Sequence, residues 1–240
     1  MTHHDVPGDR VDNGIHAAAS KALTLIEDGT RVGLGSGRAA SVFIGMLGAR
    51  LRAGLHVVGV PTSGRSAENA RKADIPLVAL GTELDITVDG ADEVAPNLDL
   101  VKGWGGAFVR ERIVAAASKR QVILVSEPKL VARLGEHGRI PVEVIPFAQW
   151  IATRELTALG LVPSLRTEHT NGQPFISDNG NLIFDCAPPE PLPDGVAARA
   201  LERKMLAVTG VVDTGLFLGT VSLVMVGHED GHVDTLYGAQ

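Results

Sequence analysis

The sequence has few aromatic residues and almost no cysteine. Aromatic side chains make up 4% of the 240 residues, which leaves few surfaces on which the bases of a single-stranded nucleic acid could stack. Cys186 is the only cysteine, so an intrachain disulfide framework and a cysteine-rich zinc site are both excluded. Residues 1–7 have no apolar core of the kind that signal peptides carry.

The sequence also lacks an excess of positive charge and a long apolar run. The 22 Lys and Arg residues are opposed by 28 Asp and Glu, a net charge of −6 without blocks of like charge, which argues against a nucleic acid or an anionic membrane as the main partner. The longest uncharged stretch, Thr214–Gly227, is interrupted by glycines and is too short to span a bilayer. We therefore expect a cytoplasmic protein without nucleic-acid or membrane partners.

Short apolar segments alternate with alanine-rich amphipathic segments from about residue 15 to residue 130. The strands predicted there are Arg31–Leu34, Leu55–Val60, Leu77–Leu80, Leu84–Val88, Leu98–Lys102 and Gln121–Val125. The helices predicted between them are His16–Glu27, Ala39–Arg52, Gly64–Ala73 and Gly106–Lys119. This alternation is typical of an α/β domain, in which helices cover both faces of a parallel sheet.

The pattern changes near residue 138. The strands predicted beyond it are Pro141–Pro146, Val162–Arg166, Phe175–Ser177, Leu182–Asp185, Val211–Leu218 and Val221–Val226, with helices at Phe147–Leu159 and Val196–Ala207. This order predicts a small α+β domain, inserted before the chain returns to the first sheet. We expect a large domain of residues 1–134 and 219–240, and a small domain of residues 135–218.

A glycine-rich loop, Gly33–Arg38, leads from the first predicted strand into a helix. Glycines allow several backbone N–H groups to point at one ligand, and the N-terminus of a helix favours an anion. The guanidinium group of Arg38 can donate two parallel hydrogen bonds to such an anion. Gly35, Ser36, Gly37 and Arg38 are therefore candidates for phosphate binding. A tight strand-to-helix turn without a ligand is the alternative, because the loop matches neither the P-loop nor the dinucleotide-binding spacing.

Carboxylates cluster in Asp89-Gly90-Ala91-Asp92-Glu93, directly after the strand Leu84–Val88. Three carboxylates so close together repel one another unless a ligand, a cation or solvent compensates. Three readings are open: a solvated turn, a pair of acid/base groups at the end of the sheet, or a divalent metal site.

Charged residues also flank a second glycine-rich turn, Lys102–Ala107. A helix from Gly106 onward places Glu111 on an apolar stripe, where an unpaired carboxylate is costly. A buried ion pair with a neighbouring arginine and a catalytic role are both open for Glu111, and Lys102 can reach the same cleft. Lys129 follows the strand Gln121–Val125 and faces the same edge of the sheet, unless it is an ordinary surface lysine.

These segments, in this order, resemble the signature of the ribose-5-phosphate isomerase A family. The resemblance covers about residues 29 to 227. It rests on Val88–Glu93, Lys102–Ala107 and Arg110-Glu111, with support from Gly33–Arg38, Gly59–Ser63, Glu127–Lys129, Pro141–Pro146, Ser177–Asn181 and Gly210–Phe217.

The resemblance implies a Rossmann-like domain with a smaller ferredoxin-like α+β domain that carries oligomer contacts, assembled as a homodimer or homotetramer. It implies interconversion of D-ribose 5-phosphate and D-ribulose 5-phosphate through a cis-enediolate, with no metal and no organic cofactor. The side chains expected to act in catalysis are Glu111, Asp89, Lys102 and Asp92. Those expected to bind substrate are Gly35, Ser36, Gly37, Arg38, Gly103, Gly105, Gly106 and Lys129.

Three segments depart from the family pattern. Arg38 and Ala39 stand where hydroxyl side chains are common, Trp104 stands where glycine is common, and a first-helix lysine of some members falls near Ile15 or His16. These departures keep two other functions open: an isomerase of another phosphosugar, or a non-catalytic sugar-phosphate-binding effector domain. The effector domain is disfavoured, because no basic recognition helix is visible in the first 14 residues.

Overall fold

The computed structural model describes residues 13–168 and 170–238, so the predictions for residues 1–7 and the chain ends lie outside it. The α-helices are α1 (Asn13–Leu23), α2 (Gly37–Arg52), α3 (Gly64–Lys72), α4 (Phe108–Ala116), α5 (Gln149–Ala158) and α6 (Gly195–Leu206). The strands are β1 (Arg31–Leu34), β2 (Val58–Pro61), β3 (Ile86–Gly90), β4 (Glu93–Val94), β5 (Leu100–Val101), β6 (Gln121–Ser126), β7 (Ile140–Val144), β8 (Val162–Leu165), β9 (Leu182–Ala187), β10 (Val211–Thr214), β11 (Leu216–Phe217), β12 (Leu223–Gly227) and β13 (Val233–Tyr237).

The largest sheet has six strands in the order β13-β12-β6-β3-β1-β2. Its inner strands are all parallel, and only the edge strand β13 runs antiparallel to its neighbour. From β1 the chain moves outward to β2 and then returns to the other side of β1 as β3. The strand order therefore reverses between β1 and β3, and such a reversal opens a crevice at the carboxyl ends of the strands.

Apolar side chains fill both faces of this sheet. On one face, Val32, Leu34 and Val88 pack with Phe43 and Leu47 of α2. On the other face, Ile123 and Val224 pack with Phe108 of α4. These strands read as continuous apolar runs in the sequence because helices cover them on both sides.

The second sheet, β10-β7-β9-β8, is antiparallel and packs against α5 and α6. Its elements follow one another as β7-α5-β8-β9-α6-β10, which is the ferredoxin-like order expected for the smaller α+β domain. All its strands come from residues 140–214. Phe175–Ser177 was predicted to be a strand as well, but it forms only an isolated bridge, between Ile176 and Leu182.

A short third sheet, β11-β5-β4, joins the two larger ones. Val211–Leu218 was predicted to be one strand, but Gly215 divides it into β10 and β11, which belong to different sheets. A Cβ atom at Gly215 would lie 2.3 Å from the backbone oxygen of Lys102, so only glycine allows this close approach. The Gly215 N–H donates to Pro141 O, and its carbonyl accepts from Lys102 N.

Two further edges of the large sheet differ from the prediction. Leu77–Leu80 contributes a single bridge, from Leu77 to Gly59, instead of a strand. The edge strand β13 was not predicted, because its alternation of apolar and polar residues is weak and most of it is exposed to solvent.

Candidate active site

The site lies at the carboxyl ends of β1 and β3, where the strand order reverses. Gly35 N donates to Val88 O over 3.0 Å, and Ser36 N donates to Asp89 Oδ1 over 3.0 Å. A Cβ atom at Gly35 would lie 2.2 Å from the carboxyl carbon of Asp89. The loop after β1 can therefore lie against Asp89 only because residue 35 has no side chain.

A cavity of about 340 Å³ opens at this point. It has room for a small polar metabolite, and its wall combines charged side chains with backbone groups of glycine-rich turns. The residues that line it are Ile15, Ser36, Gly37, Arg38, Ala39, Gly90, Ala91, Asp92, Lys102, Gly103, Gly105, Glu111, Leu124, Val125, Ser126 and Lys129.

Lys102 joins two buried carboxylates at the back of the cavity. Its Nζ atom lies 3.0 Å from Oδ2 of Asp89 and 3.1 Å from Oε2 of Glu111, and it also donates to Gly90 O. The side chains of Lys102, Asp89 and Glu111 are 3%, 4% and 7% exposed. The ion pair that the sequence left open for Glu111 is therefore formed with Lys102 rather than with a neighbouring arginine.

Burial and charge shift the titration of all three groups. Burial, together with the charge of Asp89, raises the pKa of Glu111 to about 7, although Lys102 opposes this shift. Burial also raises the pKa of Asp89 against the opposing effect of Lys102 and of the N–H groups that Asp89 accepts. Burial opposes the charge on Lys102, but the two carboxylates outweigh it and raise the lysine pKa. Near neutral pH, Glu111 can thus both accept and release a proton while Lys102 stays cationic.

Asp92, which lies between β3 and β4, and the glycine-rich turn after β5 meet at the front of the cavity. Asp92 is half-buried, and its Oδ2 accepts the Trp104 N–H over 2.9 Å. Gly103 and Gly106 have positive φ angles of 105° and 84°, which favour glycine. Gly106 N donates to Gly103 O and closes the turn over 3.0 Å.

The start of α2 forms the opposite end of the cavity. Gly37 has a φ of 84°, and the helix begins there, so its first N–H groups face the loop. The Ser36 hydroxyl contacts Thr62 Oγ1 at 2.8 Å and Ser63 Oγ at 2.7 Å. Arg38 is exposed at the cavity wall. This end of the cavity has the features of an anion site at a helix N-terminus.

Lys129 enters the cavity wall from the short helical turn after β6. Its Nζ atom lies 4.9 Å from the centre of the Trp104 ring, and Trp104 Nε1 donates to Arg139 O. The indole ring is therefore not part of the cavity wall, and it packs against the ammonium group of Lys129.

Most of the residues singled out in the sequence meet in this one place. Asp92, Lys102, Glu111, Lys129 and the loop residues Ser36, Gly37, Arg38, Gly103 and Gly105 line the cavity, while Gly35, Asp89 and Gly106 lie directly behind its wall. Glu93 points away, buried and accepting from Gly135 N and His137 N. The hypothesis that residues 89–93 form a divalent metal site is not supported. Within residues 13–168 and 170–238, no group of three His, Cys, Asp or Glu side chains could hold a metal ion.

Several cavity residues gave no signal in the sequence. Leu124–Ser126 come from the end of β6, and their apolar or small side chains look like ordinary core residues. Ile15 of α1, near which the resemblance places a lysine in some members, also lines the cavity. Arg166 follows β8 and donates to Gly103 O over 3.0 Å. It lies 63 residues from its partner in the chain, so no local spacing could have predicted the contact.

Comparison with known proteins agrees with this geometry. Residues 58–231 match the family model described as ribose 5-phosphate isomerase A (phosphoriboisomerase A). The chain belongs to the ribose-5-phosphate isomerase A family. It is 47% identical to the ribose-5-phosphate isomerase A of Gloeobacter violaceus over 219 residues, which is 89% of this chain and 92% of that protein.

Solved structures of this isomerase family have the same fold. The ribose 5-phosphate isomerase A of Methanocaldococcus jannaschii superposes with a TM-score of 0.87 at 40% identity, covering 93% of this chain and 97% of that one. A D-ribose-5-phosphate isomerase in complex with phospho-erythronic acid gives the same TM-score at 37% identity and the same coverage. In the part of the chain described here, no helix has the length and apolarity needed to cross a membrane.

Proposed function

We propose that this chain interconverts D-ribose 5-phosphate and D-ribulose 5-phosphate through a cis-enediolate. The observation that carries the proposal is the contact of Lys102 with both Glu111 and Asp89 in the wall of the cavity. The reaction moves one proton between adjacent carbons while negative charge develops on the neighbouring oxygens. A carboxylate that titrates near neutral pH, held beside a permanent cation, suits both requirements.

Glu111 is the proposed base. It removes the proton from one carbon and returns it to the next, so a single carboxylate serves both half-reactions. Lys102 stabilises the oxygen that becomes negative, together with N–H groups of the Gly103–Gly106 turn. Gly106 already donates within that turn and Trp104 N donates to Asp92. Among the residues that the structure describes, this leaves the N–H groups of Gly103 and Gly105, which both line the cavity, as donors.

Asp89 and Asp92 have different surroundings and therefore different proposed roles. Asp92 lies at the front of the cavity, where it can orient the sugar hydroxyls and help to open the furanose ring. Asp89 lies behind Lys102, and its oxygens accept from Lys102, Ser36 N and Gly90 N. Asp89 is thus placed to hold Lys102 in its cationic form and to orient it toward the cavity.

The phosphate group binds at the α2 end of the cavity in this proposal. The N–H groups at the start of α2, the backbone of Ser36 and Gly37, and the cationic side chains of Arg38 and Lys129 are its donors. The Ser36 hydroxyl already contacts Thr62 and Ser63, so Ser36 acts mainly through its backbone. Holding the phosphate fixes the reacting carbons against Glu111.

We further propose that the protein works in the cytoplasm as a homodimer or homotetramer, without a metal or organic cofactor. Large apolar side chains are exposed on the small domain, among them Phe147 at 101% and Trp150 at 71%. Such exposed apolar surface supports association through that domain.

A substrate panel tests the proposed function. Purified protein is mixed with ribose 5-phosphate, arabinose 5-phosphate, glucose 6-phosphate and unphosphorylated ribose, and ketose formation is followed. We expect turnover to be fastest with ribose 5-phosphate. Faster turnover of another phosphosugar would favour the other isomerase, and binding without any turnover would favour the effector domain.

A further inference from the structure

Arg166 reaches from the small domain to the turn that borders the cavity. The side chain is 8% exposed and follows β8. Its Nη1 atom donates to Gly103 O over 3.0 Å and to Trp104 O over 3.2 Å. One guanidinium nitrogen therefore donates hydrogen bonds to two consecutive carbonyl groups of the turn.

Asp185 fixes the guanidinium of Arg166 in this position. Arg166 Nε donates to Asp185 Oδ2 over 3.0 Å, and Nη2 donates to Asp185 Oδ1. Arg139 Nε lies 3.0 Å from the same Oδ1. Although burial opposes it, these two guanidinium groups hold the pKa of Asp185 below its usual range, so the carboxylate keeps its charge. A two-pronged arginine–carboxylate pair restricts orientation more strictly than a single contact does.

The hydrogen bonds from Arg166 to these two carbonyl groups fix the orientation of the N–H groups that follow them in the chain. In a trans peptide, the C=O of one residue and the N–H of the next point in opposite directions. The Gly103–Trp104 peptide is held at both ends, by Arg166 on Gly103 O and by Asp92 on Trp104 N. In the Trp104–Gly105 peptide, Arg166 holds the carbonyl, so the Gly105 N–H points away from Arg166.

Gly105 lies in the cavity wall, as do Lys102 and Glu111. A Cβ atom built on Gly105 meets nothing within 4 Å, so the space in front of it is open. Its N–H has no hydrogen-bond partner among the residues that the structure describes. The Gly105 N–H is thus an unused backbone donor of this turn, and Arg166 fixes the orientation of its peptide through Trp104 O.

We infer that Arg166 is a positioning residue, which aims the Gly105 N–H at the oxygen that becomes negative during proton transfer. The inference rests on the proposed isomerase function. A donor aimed at developing charge stabilises the transition state more than the bound sugar, so its loss lowers kcat and leaves KM almost unchanged.

The test compares Arg166→Gln with a matched control, Arg139→Gln. Both variants remove a guanidinium from Asp185, but only the first removes the donor to Gly103 O and Trp104 O. For Arg166→Gln we expect kcat to fall by about tenfold to a hundredfold with KM changed by less than about threefold. For Arg139→Gln we expect kcat within about threefold of wild type. Arg166→Lys keeps the positive charge beside Asp185 but removes the planar guanidinium group that donates to both carbonyl groups. This variant is measured in the same way if Arg166→Gln does not fold.

Calorimetry separates this inference from the proposed function. Phospho-erythronic acid carries a carboxylate at the reacting end, so its affinity should fall by about tenfold in the Arg166 variants, whereas inorganic phosphate should bind as it does to wild type. Equal kcat losses in the Arg166 and Arg139 variants, or a raised KM with unchanged kcat, overturn the inference. A wild-type protein that does not turn over ribose 5-phosphate overturns the proposed function instead.

Discussion

Glu111 Oε2 and Lys102 Nζ lie 3.1 Å apart, and both side chains are buried in the cavity wall. Lys102 also contacts Asp89, so a single positive charge is shared by two carboxylates, and one negative charge is left over when both are ionised. Burial makes that excess unfavourable. Glu111 is therefore easily protonated while Lys102 stays charged, which is the property that a base needs if it must also give the proton back.

The first prediction concerns Glu111→Gln, which keeps the shape of the side chain but removes the base. We expect isomerisation to be lost while the binding of inorganic phosphate, measured by calorimetry, stays close to that of wild type. Turnover above about a tenth of the wild-type rate, a loss of less than about 1.4 kcal/mol, would show that another group removes the proton.

The second prediction concerns pH. Because the pKa of Glu111 is raised to about 7, and only its deprotonated form can act as the base, kcat/KM should rise with pH up to about 7 and then level off. Lys102 stays protonated over this range, since its pKa is raised. The pH–rate profile reports the coupled Asp89–Glu111 pair rather than either residue alone.

Unphosphorylated ribose is the control for this pH profile, because it has no phosphate group that titrates. Its slow turnover should follow the same rising limb. A profile that is flat from about pH 5 to about pH 8 with both sugars would contradict the assignment of Glu111 as the group that titrates.

The third prediction concerns chelation. Among the described residues no side-chain cluster suits a metal ion, and the proposed mechanism assigns the stabilisation of charge to Lys102. Exhaustive dialysis against EDTA should therefore leave the rate unchanged. Loss of activity that a divalent ion restores would instead assign Asp89 and Asp92 as metal ligands.

The fourth prediction concerns Gly35, which allows the loop after β1 to lie against Asp89. In Gly35→Ala the new methyl group would lie 2.2 Å from the Asp89 carboxyl group, so either Asp89 or the loop must move. We expect at least a hundredfold loss of kcat/KM, roughly 2.7 kcal/mol or more, because Lys102 and the start of α2 are both positioned through these contacts.

Gly45→Ala is the matched control for Gly35→Ala. Gly45 lies on the exposed face of α2, and a Cβ atom there meets nothing within 4 Å. The change should leave activity unaffected and raise the free energy of unfolding by about 0.5–1 kcal/mol. Similar activity losses in both variants would show that the Gly35 effect is a general response to a methyl group near this loop.

The sequence was sufficient to predict the parallel sheet and most of the polar groups that meet at one edge of it. Asp89 lies near the carboxyl end of β3, where a parallel sheet of this class binds its ligands. Lys102 follows β5 of the short third sheet, and Glu111 lies on the helix after the glycine-rich turn. The fold class and the family were confirmed by the structure and by the comparisons, whereas the role of each residue stays a prediction.

The parts that could not be predicted depend on contacts between distant segments. The split at Gly215 depends on its approach to Lys102 O, and the contact of Arg166 with Gly103 joins the two domains. Strand β13 is held mainly by its backbone pairing with β12. None of these features leaves a periodic pattern in the local sequence, because each is determined by tertiary packing.

The last prediction concerns Arg38, which stands where the resemblance to the family leads us to expect a hydroxyl side chain. Arg38 is exposed at the cavity wall beside the start of α2, and its planar fork matches two phosphate oxygens. If it binds the phosphate, Arg38→Ala should raise KM for ribose 5-phosphate and also lower kcat, because phosphate binding positions the reacting carbons. A charge-assisted contact corresponds to a loss of about 1.5–3 kcal/mol in kcat/KM.

Unphosphorylated ribose distinguishes phosphate binding by Arg38 from an indirect effect of the substitution. Ribose has no group for Arg38 to hold, so its kcat/KM should change by less than about twofold in Arg38→Ala. Lys129→Ala should show the same selectivity, since Lys129 lies in the same wall. If instead ribose and ribose 5-phosphate lose equal factors in Arg38→Ala, the arginine acts on the shape of the loop, and the phosphate depends on the α2 N-terminus and Lys129 alone.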